Sequence, residues 1–172
     1  MSIRHKLFKH LYIIIANTIL ILADVLFNNN KYASAEVLYK RALTIREVYY
    51  SSDSKDVIVV LQILAQLYYE QRMYMIAESF YKRLVDIAER NNTINTDMTL
   101  SYLNALAKCY DELNHHEASL NVYLRVHSVL IKISCNDYNR IARVLHSIAC
   151  TYHILNNEQQ GDNYRTVGRQ LK

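Results

Sequence analysis

His146, Cys150 and His153 stand four and three residues apart in the stretch LHSIACTYH, a spacing that puts all three on one helical face. Imidazole and thiolate are zinc and copper ligands, so metal binding is the sharpest chemistry these residues offer. Three ligands from one helix leave a tetrahedral site short of its fourth. The other reading makes them polar helix-face residues around a small packing cysteine. No metal or other cofactor is expected. His115 and His116 fall at a turn between helices and read as solvated. Cys109, Cys135 and Cys150 are odd in number and lack CxxC spacing, which argues against a disulfide framework and for a reducing compartment. The sequence has no Gly-rich phosphate loop, nucleophile elbow or HExxH pair, so the expectation is that it is not an enzyme.

A second set of residues is polar and periodic. It comprises Asn17 and Asp24, then Gln62, Gln66 and Tyr69, then Asn104, Lys108 and Asp111, then Arg143 and His146. Phe27, Asn28, Glu70, Ser101, Glu112, Cys150 and His153 extend the same faces. Amides spaced along a groove can pair with the N–H and C=O groups of an extended peptide, which gives sequence-tolerant affinity. The bland alternative is a row of solvated helix-face side chains.

The elements that would carry these residues are repeats. LADVLFNNNKYASAEVLYKRAL from Leu22 aligns without a gap on LAQLYYEQRMYMIAESFYKRL from Leu64, 42 residues later. The same step reaches LAKCYDELNHHEASLNVYLRV at Leu106 and IACTYHILNNEQQGDNYRTVG at Ile148. Small residues recur at Ala23, Ala65, Ala107 and Ala149, and again at Ala35, Ala77, Ser119 and Gly161. Tyrosines follow at Tyr39, Tyr81 and Tyr123. Each repeat holds two amphipathic segments, whose small residues let helix axes approach while the tyrosines fill the space between. Such a unit must stack on its neighbours to bury its apolar face.

The spacing predicts A helices over 12–28, 56–71, 96–112 and 138–154, and B helices over 31–49, 74–90, 115–133 and 157–171. N-caps are expected at Ser52 or Asp53, at Asn95 or Thr96, and at Asn136 or Asp137. The chain reads as a single all-α domain, residues 1–172, with repeats over 14–55, 56–97, 98–139 and 140–172. Composition agrees: with no proline and two glycines in 172 residues, the chain favours long helices over hairpins. A formal charge of +4, spread along the chain, does not make the basic face of a nucleic-acid binder. The repeat accounts for eight of the fifteen tyrosines, which leaves little for a base-stacking surface.

With its small, tyrosine, small, aromatic order, the sequence resembles the tetratricopeptide repeat. The longer period, and KYASAEVLYKRALTIRE at Lys31–Glu47 above all, is similar to the repeats of kinesin light chains. The resemblance implies an α-solenoid, a right-handed superhelix of about four helix-turn-helix repeats whose A helices line a concave peptide-binding groove. It also implies a cargo adaptor whose partners are a protein or peptide ligand and, if it extends to role, kinesin heavy chain or cargo. The alternative is a general scaffold in signalling or cilia. The implied location is cytoplasmic, with cytoskeletal association.

The sequence departs from that family in places. Its connection SSDSKDVI, Ser51–Ile58, stands where GPDHPDVA is usual, and of the family's LNNLA asparagines only Asn104 is matched, with Gln62 and His146 in related positions. Lys108 and Arg143 face four carboxylates, Asp24, Glu70, Asp111 and Glu112, so a basic or mixed ligand suits this face as well as the acidic peptide that the family's basic cleft implies. The family's coiled coil has no counterpart here.

The apolar run LYIIIANTILILADVLF, Leu11–Phe27, could suggest a signal or anchor, but the repeat phase makes it the first A helix, and Asn17, Thr18 and Asp24 suit no membrane span. It is nevertheless apolar almost all round, unlike the polar cap a solenoid end requires. It is therefore expected to be covered by upstream repeats, a second copy or a partner. Ser2-Ile3-Arg4 echoes Thr44-Ile45-Arg46 one period on. At the other end Tyr164, Val167 and Leu171 are expected to form the narrow stripe of a capping helix.

Overall fold

A computed structural model describes residues 3–91, 93, 96–133 and 137–170; the side chains of residues 3–7 and 9 are outside that description. Asn95, Cys135, Asn136, Leu171 and the Ser2–Arg4 echo fall outside it in whole or in part. Among the described residues the chain is all-α, with eight helices: α1 (Ile3–Asn28), α2 (Tyr32–Tyr49), α3 (Lys55–Glu70), α4 (Tyr74–Arg90), α5 (Asp97–Glu112), α6 (His116–Lys132), α7 (Tyr138–Ile154) and α8 (Glu158–Gln170). They follow the four helix-turn-helix repeats read from the sequence. Only the start of α1 departs widely, because nothing in the polar lead-in breaks the helix that the apolar run continues.

The helix starts have local causes. Thr96 and Asp137 cap α5 and α7 by accepting from the N–H groups of Thr99 and Arg140. At α3 the cap is Ser54, which accepts from the Val57 N–H, and not Ser52 or Asp53. Those two, immediately before it, bond to each other instead, the Ser52 hydroxyl donating to Asp53 Oδ1.

The turns inside the repeats share one geometry. Asn30, Arg72, Asn114 and Asn156 all have φ between 58° and 60° and lie 42 residues apart. Each follows an A helix. The residue after it donates six-to-one to the helix, as Lys31 N–H does to the Leu26 carbonyl at 2.9 Å, and the turn residue itself donates five-to-two. This is the Schellman closure. Asparagine tolerates the left-handed region well enough to replace the glycine usual there, so a chain almost without glycine can still turn four times.

The chain forms two compact units, Met1–Phe80 and Tyr81–Lys172, with the boundary inside α4. In the first, α2 packs on both α1 and α3. Tyr68 stacks on Phe80 and Tyr69 meets Tyr74 edge-on, holding the start of α4 against α3. Arg46, nearly buried on α2, donates to the Asp56 carbonyl at 2.5 Å and to Asn17 Oδ1 at 2.8 Å, and so ties α1, α2 and α3 together. In the second unit α6 packs on α5 and α7, and α7 on α8. The eight small residues of the repeat are all buried, as are Tyr39, Tyr81 and Tyr123. The lysines of the B helices recur with a purpose: Lys40 lies over the Tyr68 ring and Lys82 over the Tyr110 ring, each 5.5 Å from the centroid, one repeat to the next.

The expected stripe on α8 is corrected. Tyr164 does pack, stacked on Tyr152 and edge-on to His127, but Val167 is exposed. The contact face is made by Gly161 and Gly168, where α7 comes close: a Cβ on Gly161 would stand 2.7 Å from His153 Nε2, and one on Gly168 3.4 Å from Leu145 Cβ. Counting apolar side chains misses a face built by removing them.

On α1, Ala16, Leu20 and Ala23 are buried while Leu11, Ile14, Ile21, Leu22 and Val25 are each at least half exposed. By length and composition alone His10–Asn28 could cross a membrane. In this structure one face of that helix packs on α2 and its apolar remainder is open.

Candidate functional site

In the first unit the candidate polar residues are largely engaged. Asn17 accepts from Arg46, and Asp24 accepts from the Tyr39 hydroxyl at 2.6 Å. Burial and the Asp24 carboxylate together push the Tyr39 hydroxyl's pKa up, so it stays a donor. Gln66 donates to Glu70 at 2.9 Å, four residues on. Tyr69 is half-buried against Tyr74. Gln62 is half-buried and bonds no other described side chain.

In the second unit the arrangement is more open. Asp111 accepts from the Tyr123 hydroxyl at 3.0 Å through Oδ2, while its buried Oδ1 has no partner among the described residues. Asn104 and Lys108 lie one turn apart on α5, and Arg143 and His146 stand on α7 at 42 residues beyond Ser101 and Asn104. Lys108, Arg143 and His146 are exposed and Asn104 is half-buried. Among the described residues Asn104, Lys108 and Arg143 make no side-chain hydrogen bond. Arg140 donates to Asp97 at 2.5 Å, which joins the starts of α7 and α5 within this unit.

The three candidate metal ligands on α7 do not converge. His146 Nε2 lies 3.6 Å from Cys150 Sγ, whereas the His153 ring covers Gly161 with Nε2 3.5 Å from Asp162. Among the described residues no group of three or more His, Cys, Asp or Glu is placed to hold a metal ion. His115 is exposed and His116 half-buried at the start of α6. Sequence reasoning missed Arg46, Arg140 and Asp97. Their signal was an arginine inside an otherwise apolar B-helix face and an acid at a helix start.

Eight helices in sequential pairs, with small residues at two fixed places and tyrosines between them, define a helical-repeat binding scaffold. The tetratricopeptide repeat family model matches residues 14–90 and 64–132, and the chain belongs to that family. No curated protein matches the sequence. Among solved structures, BtubC (BKLC) from P. vanneervenii is similar over 91% of this chain and 62% of its own, with TM-score 0.77 and 15% identity. This chain thus spans under two-thirds of that protein. The nearly identical TPR-like repeats of a candidate kinesin light chain from Podosopora anserina give TM-score 0.76 at 15% identity, over 91% of this chain and 74% of theirs. The apo form of RapI is similar at TM-score 0.70 and 15% identity, over 91% and 55%. At such identities the likeness is one of fold.

Proposed function

We propose that this chain is a non-enzymatic module that holds an extended peptide against the A helices of its second unit. The observation that carries the reading is the set of Asn104, Lys108 and Arg143. These are a donor-acceptor amide and two cations on two helices tied at their starts, none of them hydrogen-bonded to a described side chain. The amide can pair with a peptide C=O or N–H, while the cations reach carboxylates or carbonyls of the ligand. Asp111 and Glu112 balance the two cations locally, which favours a ligand of mixed charge over a strongly acidic one. The kinesin light chain likeness supports a cargo-adaptor role at the cytoskeleton, and with it a cytoplasmic location, with cargo or heavy chain as the partner.

A peptide display library selected on the wild-type chain, followed by polarisation titration of the selected peptides, tests this. Asn104→Ala and the pair Lys108→Ala, Arg143→Ala are each expected to weaken binding about tenfold, roughly one lost charge-assisted or amide hydrogen bond apiece. Selected peptides that bind both variants as tightly as wild type would sink the assignment.

A further inference from the structure

At about 100° per residue, α1 divides into three sectors. Ala16, Leu20 and Ala23 face the core, and Asn17, Asp24 and Asn28 form a polar strip. Leu11, Ile14, Ile15, Ile21, Leu22 and Val25 form a continuous apolar arc over the remainder, between 36% and 65% exposed. One period on, the residues matching Ile15, Leu22 and Val25 are Val57, Leu64 and Leu67, and they are at most 1% exposed in α3, which packs on α2. Leu11, Ile14 and Ile21 match Asp53, Asp56 and Ile63, none of them buried, so the arc is a helix-packing face without its helix on its Ile15, Leu22 and Val25 side, widened by the other three.

We infer that the helix which covers it is α1 of a second copy of this chain, crossing antiparallel at Thr18. The sequence of the arc is symmetric about that residue. Leu11 and Val25 lie seven residues to either side, Ile14 and Leu22 four, Ile15 and Ile21 three. A two-fold contact requires residue i to meet j while j meets i, and here each such pair is apolar with apolar. At the crossing point stands the smallest side chain of the arc, which lets the axes approach. Its hydroxyl already donates to the Ile14 carbonyl at 2.9 Å, so burial leaves no unpaired polar atom. The arc contains no charge. The six side chains offer roughly 550 Å² per copy, about 1,100 Å² in all, which clears the roughly 1,000 Å² expected of a specific interface. Stacking head to tail through α8 fits less well: where α2 and α4 have Leu43 and Val85, α8 has the exposed Arg169.

The test is sedimentation of the full chain over a range of loading concentrations, with two variants. Wild type is expected to show a monomer-dimer equilibrium. The double variant Ile14→Asp, Ile21→Asp is expected to weaken it by at least about a hundredfold. Both positions are exposed, so its circular dichroism should match wild type, and its melting should match that of wild type diluted to the monomer. Thr18→Cys should form an 18-to-18 cross-link on mild oxidation, identified by peptide mapping, while Thr44→Cys on α2 should not. A wild-type monomer at every concentration, a dimer that survives the double variant, or a dimer without the 18-to-18 cross-link would each overturn the inference. So would co-sedimentation of wild type with phosphatidylcholine vesicles that the double variant loses, since the arc would then serve a lipid surface.

Discussion

Replacing Arg46 probes the joint that sets the first unit. Arg46 is 8% exposed, and its guanidinium makes two hydrogen bonds, to the Asp56 carbonyl and to Asn17 Oδ1, with the Asp56 carboxylate 3.8 Å away. Each charge-assisted bond contributes about 1.5–3 kcal/mol, and the aliphatic stem adds roughly 1–2 kcal/mol of packing. Against this stands the desolvation of a nearly buried cation, several kcal/mol that its removal returns. The net expected for Arg46→Ala is a loss of about 2–4 kcal/mol. Arg46→Met keeps the stem and should lose about 1–2 kcal/mol, the polar share alone. The assay is urea unfolding followed by circular dichroism, with hydrogen exchange to place the effect, because repeat proteins need not unfold in one step. Protection should fall across α1, α2 and the start of α3. The decisive number is the coupling between Arg46→Met and Asn17→Ala, expected at about 1 kcal/mol for a direct contact. Coupling within roughly 0.3 kcal/mol of zero would refute the argument that this bond ties α1 to α2.

Four further outcomes follow from local geometry. Arg72 is the one non-asparagine among the four left-handed turn residues, so Arg72→Gly should raise stability by about 0.5–1 kcal/mol, read as a higher melting temperature. Gly168→Ala meets ordinary contact and should stabilise α8 by up to about 1 kcal/mol through helix propensity. Gly161→Ala must displace the His153 ring and should destabilise by about 1 kcal/mol, a sign that reverses in a His153→Ala background. Glu36 accepts from Lys40 and from the Tyr68 hydroxyl, both at 2.7 Å, and these hold its carboxyl below the ordinary 4.5. A lowered folded pKa means that the unfolded chain binds its proton first. The stability is therefore present above 4.5 and disappears as pH falls through the folded value. Acid titration of melting temperature should be flatter in Glu36→Gln over that limb.

The repeat phase carried most of the fold into view, because a helix-turn-helix unit repeats its packing requirements at each step. Ala23, Ala65, Ala107 and Ala149 could be assigned to the core from spacing alone, and so they are placed. What escaped was whatever acts by absence or by backbone. Gly161 and Gly168 contribute no side chain to count, and Asn30, Asn114 and Asn156 act through φ, though their 42-residue step was there to be seen. The candidate binding residues were legible as a pattern but not as free or engaged. Whether Asn17 or Asp24 faces a ligand depends on Arg46 and Tyr39, which lie on another helix and reach them only through the folded geometry.

The helices that pack on one another in this chain are neighbours in sequence. Its contact order is accordingly low, so closing each pair costs the entropy of only a short loop. Nucleation needs no distant strand or returning terminus, and a helix hairpin can form as soon as both of its arms exist. The same locality limits damage. A strained turn at one left-handed position weakens its own hairpin and the next interface, and leaves the others with their contacts. Pulled from its ends, such a chain should yield in steps of one repeat, each releasing 42 residues of slack.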